Sequence, residues 1–285
     1  MSKKLVVYGL PLNPAHLLDE LEGGSFCVSY YSRHKVGNQL IQALDLCHKD
    51  GIFLLDNGAF SHWMKGGGSP DFEYWKDFGR WASGIMSYSE QVVAVIPDVI
   101  GGDEDTNRRL CTRFCEWAKN RGGNIALTEQ LMPVWHMHES FDYLRWMCQR
   151  FKYVAIGSSG QYAKVGTPKW HARIRKTFRK LRRIQNEGYE LPHVHMMRAQ
   201  SMLHMYPFDS ADSCNVAINH NQWGRRNGMD RHVGRMAETI TTRVDSSCNG
   251  IPNHEPPGLL RDNALKDKFK QLTERLGISD HPLAQ

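Results

Sequence analysis

Three aspartates stand at the ends of short strand-sized runs. Asp56 closes Ile52–Leu55, Asp98 follows Val92–Pro97, and Asp212 closes Phe208–Ala211. A carboxylate at the last residue of a buried strand emerges at a wet rim, where it can attack carbon or carry a proton. An aspartate in such a place also caps the turn or helix that follows, so none of the three decides the matter alone. Asp209, on the same run as Asp212, is a competing carboxylate.

The residues after these runs add chemistry. Asn57-Gly58-Ala59-Phe60 follows Asp56, and Gly157-Ser158-Ser159-Gly160 follows Tyr153–Ile156. Glycine directly after a strand lets a ligand ring or a backbone amide come close. His136-Met-His138 and His193-Val-His195 place two imidazoles on one face of a strand, the spacing of barrel metallohydrolases. A metal-dependent hydrolase using His136, His138 and His195 is therefore an alternative reading. The stretch His220–Gly228 holds Trp223, Arg225 and Arg226. Read as a loop after the last strand, it puts two cations and an aromatic at the same rim, as a polyanionic substrate would need. A second basic stripe, Arg173–Arg183, reads as the solvated face of a helix.

Something must hold these residues together. Eight candidate strands run through Leu5–Leu10, Phe26–Tyr31, Ile52–Asp56, Val92–Asp98, Leu131–His136, Tyr153–Gly157, His193–Met197 and Phe208–Asp212. Several are apolar throughout, as in strands buried on both faces. Between them lie helical patterns. Phe72, Trp75, Phe78, Trp81 and Ile85 repeat at helical spacing behind Ser69-Pro70-Asp71, Asp103–Arg121 forms a second helix, and Thr167-Pro168 opens a third. This alternation predicts an α/β fold, a single-domain (β/α)8 TIM-like barrel. A doubly wound open sheet is the rival, but no Gly-x-Gly-x-x-Gly turn follows an early strand. The barrel core is expected over about residues 4–217, and 218–285 as a basic loop and a helical extension around Leu259–Leu276.

Bulk properties limit the functional classes. The chain has 285 residues, 41% hydrophobic, with a net charge of +6. No apolar run reaches the roughly 18 residues of a membrane span. The N-terminus meets Gly9 and Pro11 too early for a signal peptide, and the seven scattered cysteines form no Cys-x-x-Cys pair. A cytoplasmic protein without membrane contact is expected.

The order of these motifs resembles the tRNA-guanine transglycosylase superfamily. The islands are Asp-x-Gly-x-Phe after strand three, an Asp ending strand four, a Pro-Val strand five, a Gly-rich turn after strand six and an Asp-Ser at strand eight. They span about Ile52 to Val216. The small size suggests the phage and bacterial branch that puts 7-deazaguanine into DNA. The resemblance implies Asp212 as the nucleophile, with Asp209 as competitor, and Asp56 as proton carrier. It implies Asp98, His136, Gly157 and Ser158 around the base, with Asn57, Gly58, Phe60 and His195 beside them. His136 departs from the family's usual Gln. The Cys-rich zinc site of the tRNA-acting members is missing from the sequence, where only Cys248 follows Cys214. No cofactor or metal ligand is therefore expected. DNA and a free 7-deazaguanine base, with 7-cyano-7-deazaguanine the expected one, are the partners, and a homodimer is one candidate assembly. Exchange on tRNA and the metal-dependent hydrolase stand as alternatives.

Overall fold

The computed structural model describes residues 4–66, 68–122, 129–228 and 233–248. Its strands form one all-parallel sheet: β1 (Leu5–Gly9), β2 (Ser25–Ser29), β3 (Phe53–Asp56), β4 (Val92–Val95), β5 (Leu131–Met132), β6 (Val134–His136), β7 (Tyr153–Gly157), β8 (His193–Met196) and β9 (Ser210–Ser213). The order is β5-β4-β3-β2-β1-β9-β8-β7-β6. Its two ends are halves of one run, split at Pro133, which has no N–H to give the ladder. The Pro133 carbonyl still accepts from Ala155 N–H at 2.9 Å, and Met132 O accepts from Ile96 N–H at 2.8 Å. β5 thus pairs with β4 and β6 with β7, and the sheet curls into a barrel. Counting the split run as one stave gives the (β/α)8-like barrel expected from sequence.

Strand side chains alternate between two cores. Val7, Cys27, Leu54, Val93, Val95, Met132, Val134 and Ala155 fill the interior. Phe26, Phe53, Trp135, Ile156 and Ala211 point outward under the helices. Because both faces are covered, the strands read as continuous apolar runs.

The helices are α1 (Arg33–Val36), α2 (Gln39–Leu46), α3 (Ala59–Met64), α4 (Phe72–Met86), α5 (Glu104–Gly122), α6 (Phe141–Cys148), α7 (Pro168–Asn186), α8 (Asn215–Asn227) and α9 (Val233–Cys248). Asp71 and Thr167 cap α4 and α7 by accepting from Tyr74 N–H and Trp170 N–H, each worth about 1 kcal/mol. The stripe Trp170, Ile174, Phe178, Leu181 and Ile184 is buried against the barrel.

One element differs from expectation. His220–Gly228 is not a loop at the mouth but most of α8 and its C-cap. At about 1.5 Å per residue, α8 carries its last turn some 15 Å away from the strand ends. α9 follows at the far end, where Gly234 N–H donates to Glu20 just ahead of β2, at 2.9 Å. The helical segment expected around Leu259–Leu276 lies outside the described residues. Among the described residues, no helix is long and apolar enough to cross a membrane.

Candidate active site

Period-two alternation decides which residues meet inside the barrel. Leu54 points inward, so Asp56 does too, and Ser210 and Asp212 share the inward face of β9. In register, Asp56 pairs with Ser29 and Asp212 with Val7. Asp98 comes three residues after β4 and is buried.

Asp212 is held as an anion. Its Oδ1 lies 3.2 Å from His195 Nε2 and accepts Arg198 N–H at 2.7 Å. Burial pushes its pKa up, but the His195 ring and the Arg198 amide and guanidinium outweigh burial and leave it below the usual carboxylate range. Both of these contacts fall on Oδ1, and Oδ2 carries neither.

His195 is itself supported. Ser210 Oγ sits 2.7 Å from its Nδ1 and 2.6 Å from His193 Nε2. A hydroxyl has one proton. If it donates to His195 it accepts from His193, and if it donates to His193 it accepts from Nδ1–H of His195. In the first arrangement Nε2 of a neutral His195 ring carries the proton that faces Asp212, whereas in the second it does so only when both ring nitrogens are protonated. Burial, helped by His195, lowers His193 to about 3, so that ring is neutral.

Asp56 has the opposite tendency. It is partly accessible from the mouth but surrounded by protein elsewhere. Burial raises it to about 6; the Ser29 hydroxyl and Arg198 pull it down, while Asp212 and Asp98 push it up. Two carboxylates at one mouth thus differ in proton affinity.

Asp98 is fixed from two sides. Asn57 Nδ2 donates to its Oδ1 at 2.9 Å and to Ile96 O at 2.8 Å, while Asn57 Oδ1 accepts Ala59 N–H. His136 Nε2 lies 2.8 Å from Asp98 Oδ2. Burial opposes charge on His136, but Asp98 and the buried Glu139 hold its pKa up at about 10. The Asn107 amide nitrogen, with its oxygen tied to Val99 N–H, lies 3.0 Å from Nδ1 and competes with Glu139 for that edge. His136 therefore spends its Nε2 on orienting Asp98, and is not free to meet a base edge as the sequence reading expected.

The glycines make room. Gly58 has φ +79°, and a Cβ there would stand 2.7 Å from Tyr31 Cβ. A Cβ at Gly157 would stand 3.1 Å from the His136 ring. Ser158 Oγ accepts from Trp170 Nε1 at 2.9 Å, which ties the turn to α7. Phe60 is 36% exposed, and the Arg198 guanidinium lies 3.3 Å from its ring centroid.

The mouth thus gathers Asp56, Asn57, Gly58, Phe60, Asp98, His136, Gly157, Ser158, His195 and Asp212. Three nominated groups do not join them. Asp209 precedes β9 at the opposite end, where its carboxylate accepts Val194 N–H at 2.7 Å, so it does not share the mouth with Asp212. Arg225 and Arg226 sit on the last turn of α8, and Trp223 packs against the core. The His-x-His pairs face different partners: His138 meets Ser159 Oγ and Gly102 O, while His193 and His195 share Ser210. Among the described residues, no three His, Cys, Asp or Glu converge as metal ligands.

Sequence reading gave no role to Arg198, Ser210 or Glu139. Arg198 is the one described non-glycine residue with positive φ, at 57°, a conformation that costs of order 1–3 kcal/mol and clusters at functional sites. Its place two residues past β8 was the available signal. No family model and no curated protein matches this sequence.

Proposed function

We propose that the protein is a base-exchange transglycosylase that replaces guanine in DNA by a 7-deazaguanine, with 7-cyano-7-deazaguanine the expected base. The observation that carries the reading is the pair Asp212 and Asp56, one held ionised and the other inclined to keep its proton, at one barrel mouth. Pairs whose environments push their pKa values apart divide into nucleophile and acid–base roles.

Asp212 Oδ2 attacks C1′ of the target nucleotide. The C1′–N9 bond breaks, its electron pair stays on the purine, and Asp56 delivers a proton to that base. The ester between Asp212 and the sugar is then attacked at C1′ by N9 of the incoming base. Its proton returns to Asp56 as the ester bond breaks and Asp212 is regenerated. Two inversions restore the β-configuration. Asp98, with one lone pair on each oxygen still available, suits the N1–H and N2–H donors of a guanine-like edge. The target must leave the helical stack to reach these groups.

Nucleoside mass spectrometry of DNA from cells expressing the chain and supplied with deazaguanine tests the reading. A deazaguanine deoxynucleoside in DNA is expected. Unmodified DNA with modified tRNA would move the substrate to RNA, and neither modification would overturn base exchange.

A further inference from the structure

The loss of Arg225 and Arg226 from the mouth leaves open what holds the polyanion, and two neighbouring mouth segments offer an answer. After β2 the chain runs through Tyr30–Ser32 into α1, and after β3 it forms α3. The segments touch: the Tyr31 and His62 rings meet edge to face at 6.1 Å, and Lys65 Nζ lies 4.9 Å from the Tyr31 ring centroid. Residues 29–38 and 57–70 contain Arg33, His34, Lys35, His62 and Lys65 but no aspartate or glutamate. That is a one-sided charge in a chain that holds 30 acidic residues.

The same surface exposes large apolar side chains. Trp63 is 47% and Met64 62% exposed. Phe60 and Trp63 rings are 5.7 Å apart, and Arg198 covers Phe60. A ladder of Arg198, Phe60 and Trp63 therefore leads from the carboxylates outward to the rim. Aromatics interleaved with cations and free of acidic groups suit a nucleic-acid strand, whose bases stack and whose phosphates pair. An acidic protein surface would match the charge but would offer no bases to stack on Phe60 and Trp63.

We propose that the α1–α3 rim is the docking surface for duplex DNA around the extruded nucleotide. Trp63 and Met64 press against the bases flanking the gap, and Arg33, Lys35 and Lys65 neutralise the adjoining phosphates. The assignment rests on the base-exchange reading and extends it to a surface that reading does not require.

The test is fluorescence anisotropy of a labelled short DNA duplex with the full chain, across a salt series. Trp63→Ala should weaken binding about tenfold, in line with the loss of one stacking contact, while Trp63→Phe should recover most of it. Lys35→Ala with Lys65→Ala should flatten the salt dependence by about two phosphate contacts. Arg225→Ala with Arg226→Ala should leave both unchanged. Wild-type affinity in the rim variants, with the parent chain binding DNA, would overturn the rim alone. No DNA binding by the parent chain, or binding of an RNA hairpin instead, would overturn both the rim's partner and the DNA substrate.

Discussion

Ser210 Oγ lies 2.7 Å from Nδ1 of His195, and this contact decides which ring edge Asp212 meets. Nδ1 is occupied, so Nε2 faces the carboxylate at 3.2 Å. The two residues are cross-strand partners in β8 and β9, which makes the arrangement a property of strand register.

Ser210→Ala should leave a buried ring nitrogen of His195 and another of His193 without their partner. Loss of about 1–3 kcal/mol of stability is expected for each group left unpaired. Nitrogen NMR should show a changed distribution of protons over the two ring nitrogens of His195, and covalent trapping on DNA should slow about tenfold. An unchanged His195 spectrum would sink the idea that Ser210 sets this edge.

Asp212→Ala and Asp209→Ala separate the two carboxylates flanking Ser210 and Ala211. The first should abolish covalent trapping on DNA. The second should trap normally but melt earlier, because Val194 N–H loses its acceptor, at about 1–3 kcal/mol. Gel-shift trapping combined with thermal unfolding distinguishes them, and loss of trapping in Asp209→Ala alone would reverse the roles.

Asp56 predicts a pH signature. Its folded-state pKa is raised from 3.8 to about 6, so the folded protein holds this proton more tightly than the unfolded chain. The resulting stabilisation is complete below 3.8 and is lost as pH rises through about 6. Asp56→Asn should remove that part of the pH dependence of unfolding. The first half-reaction, which needs Asp56 protonated, should slow above pH about 6, and a flat profile would contradict the assignment.

Arg198→Gly tests the cation separately from the backbone. Glycine accepts φ near 57° without strain and keeps the N–H that Asp212 accepts. Folding should be retained, while Asp56, without the guanidinium that pulls it down, should titrate higher than in the parent chain. Carbon NMR of labelled aspartate checks the direction, and no movement would show that Arg198 does not act on Asp56.

Much of the frame was legible because it follows from local periodicity. The stripe on α7 and the caps Asp71 and Thr167 are written in residues three and four apart, and apolar runs marked several of the staves. Local pattern misled at α8, whose polar, Gly- and Asn-containing sequence reads as a loop but whose side chains, such as buried His220, find support against the barrel. It also could not place Arg198, whose importance comes from a backbone conformation and a neighbouring ring.

The sequence by itself pointed to Asp56, Asp98 and Asp212 at or just past the ends of strands in a parallel barrel, because apolar runs and helical periodicity depend only on residues close in the chain. Only the tertiary structure decided between Asp212 and Asp209. Both sit on one run, but β9 places one at the mouth and the other at the base, a difference of about 10 Å at 3.3 Å per residue. It also decided the proton affinities, since these arise from burial, opposed by His195, Arg198 and Ser29, all of which act on the carboxylates only when the sheet curls and brings distant strands together.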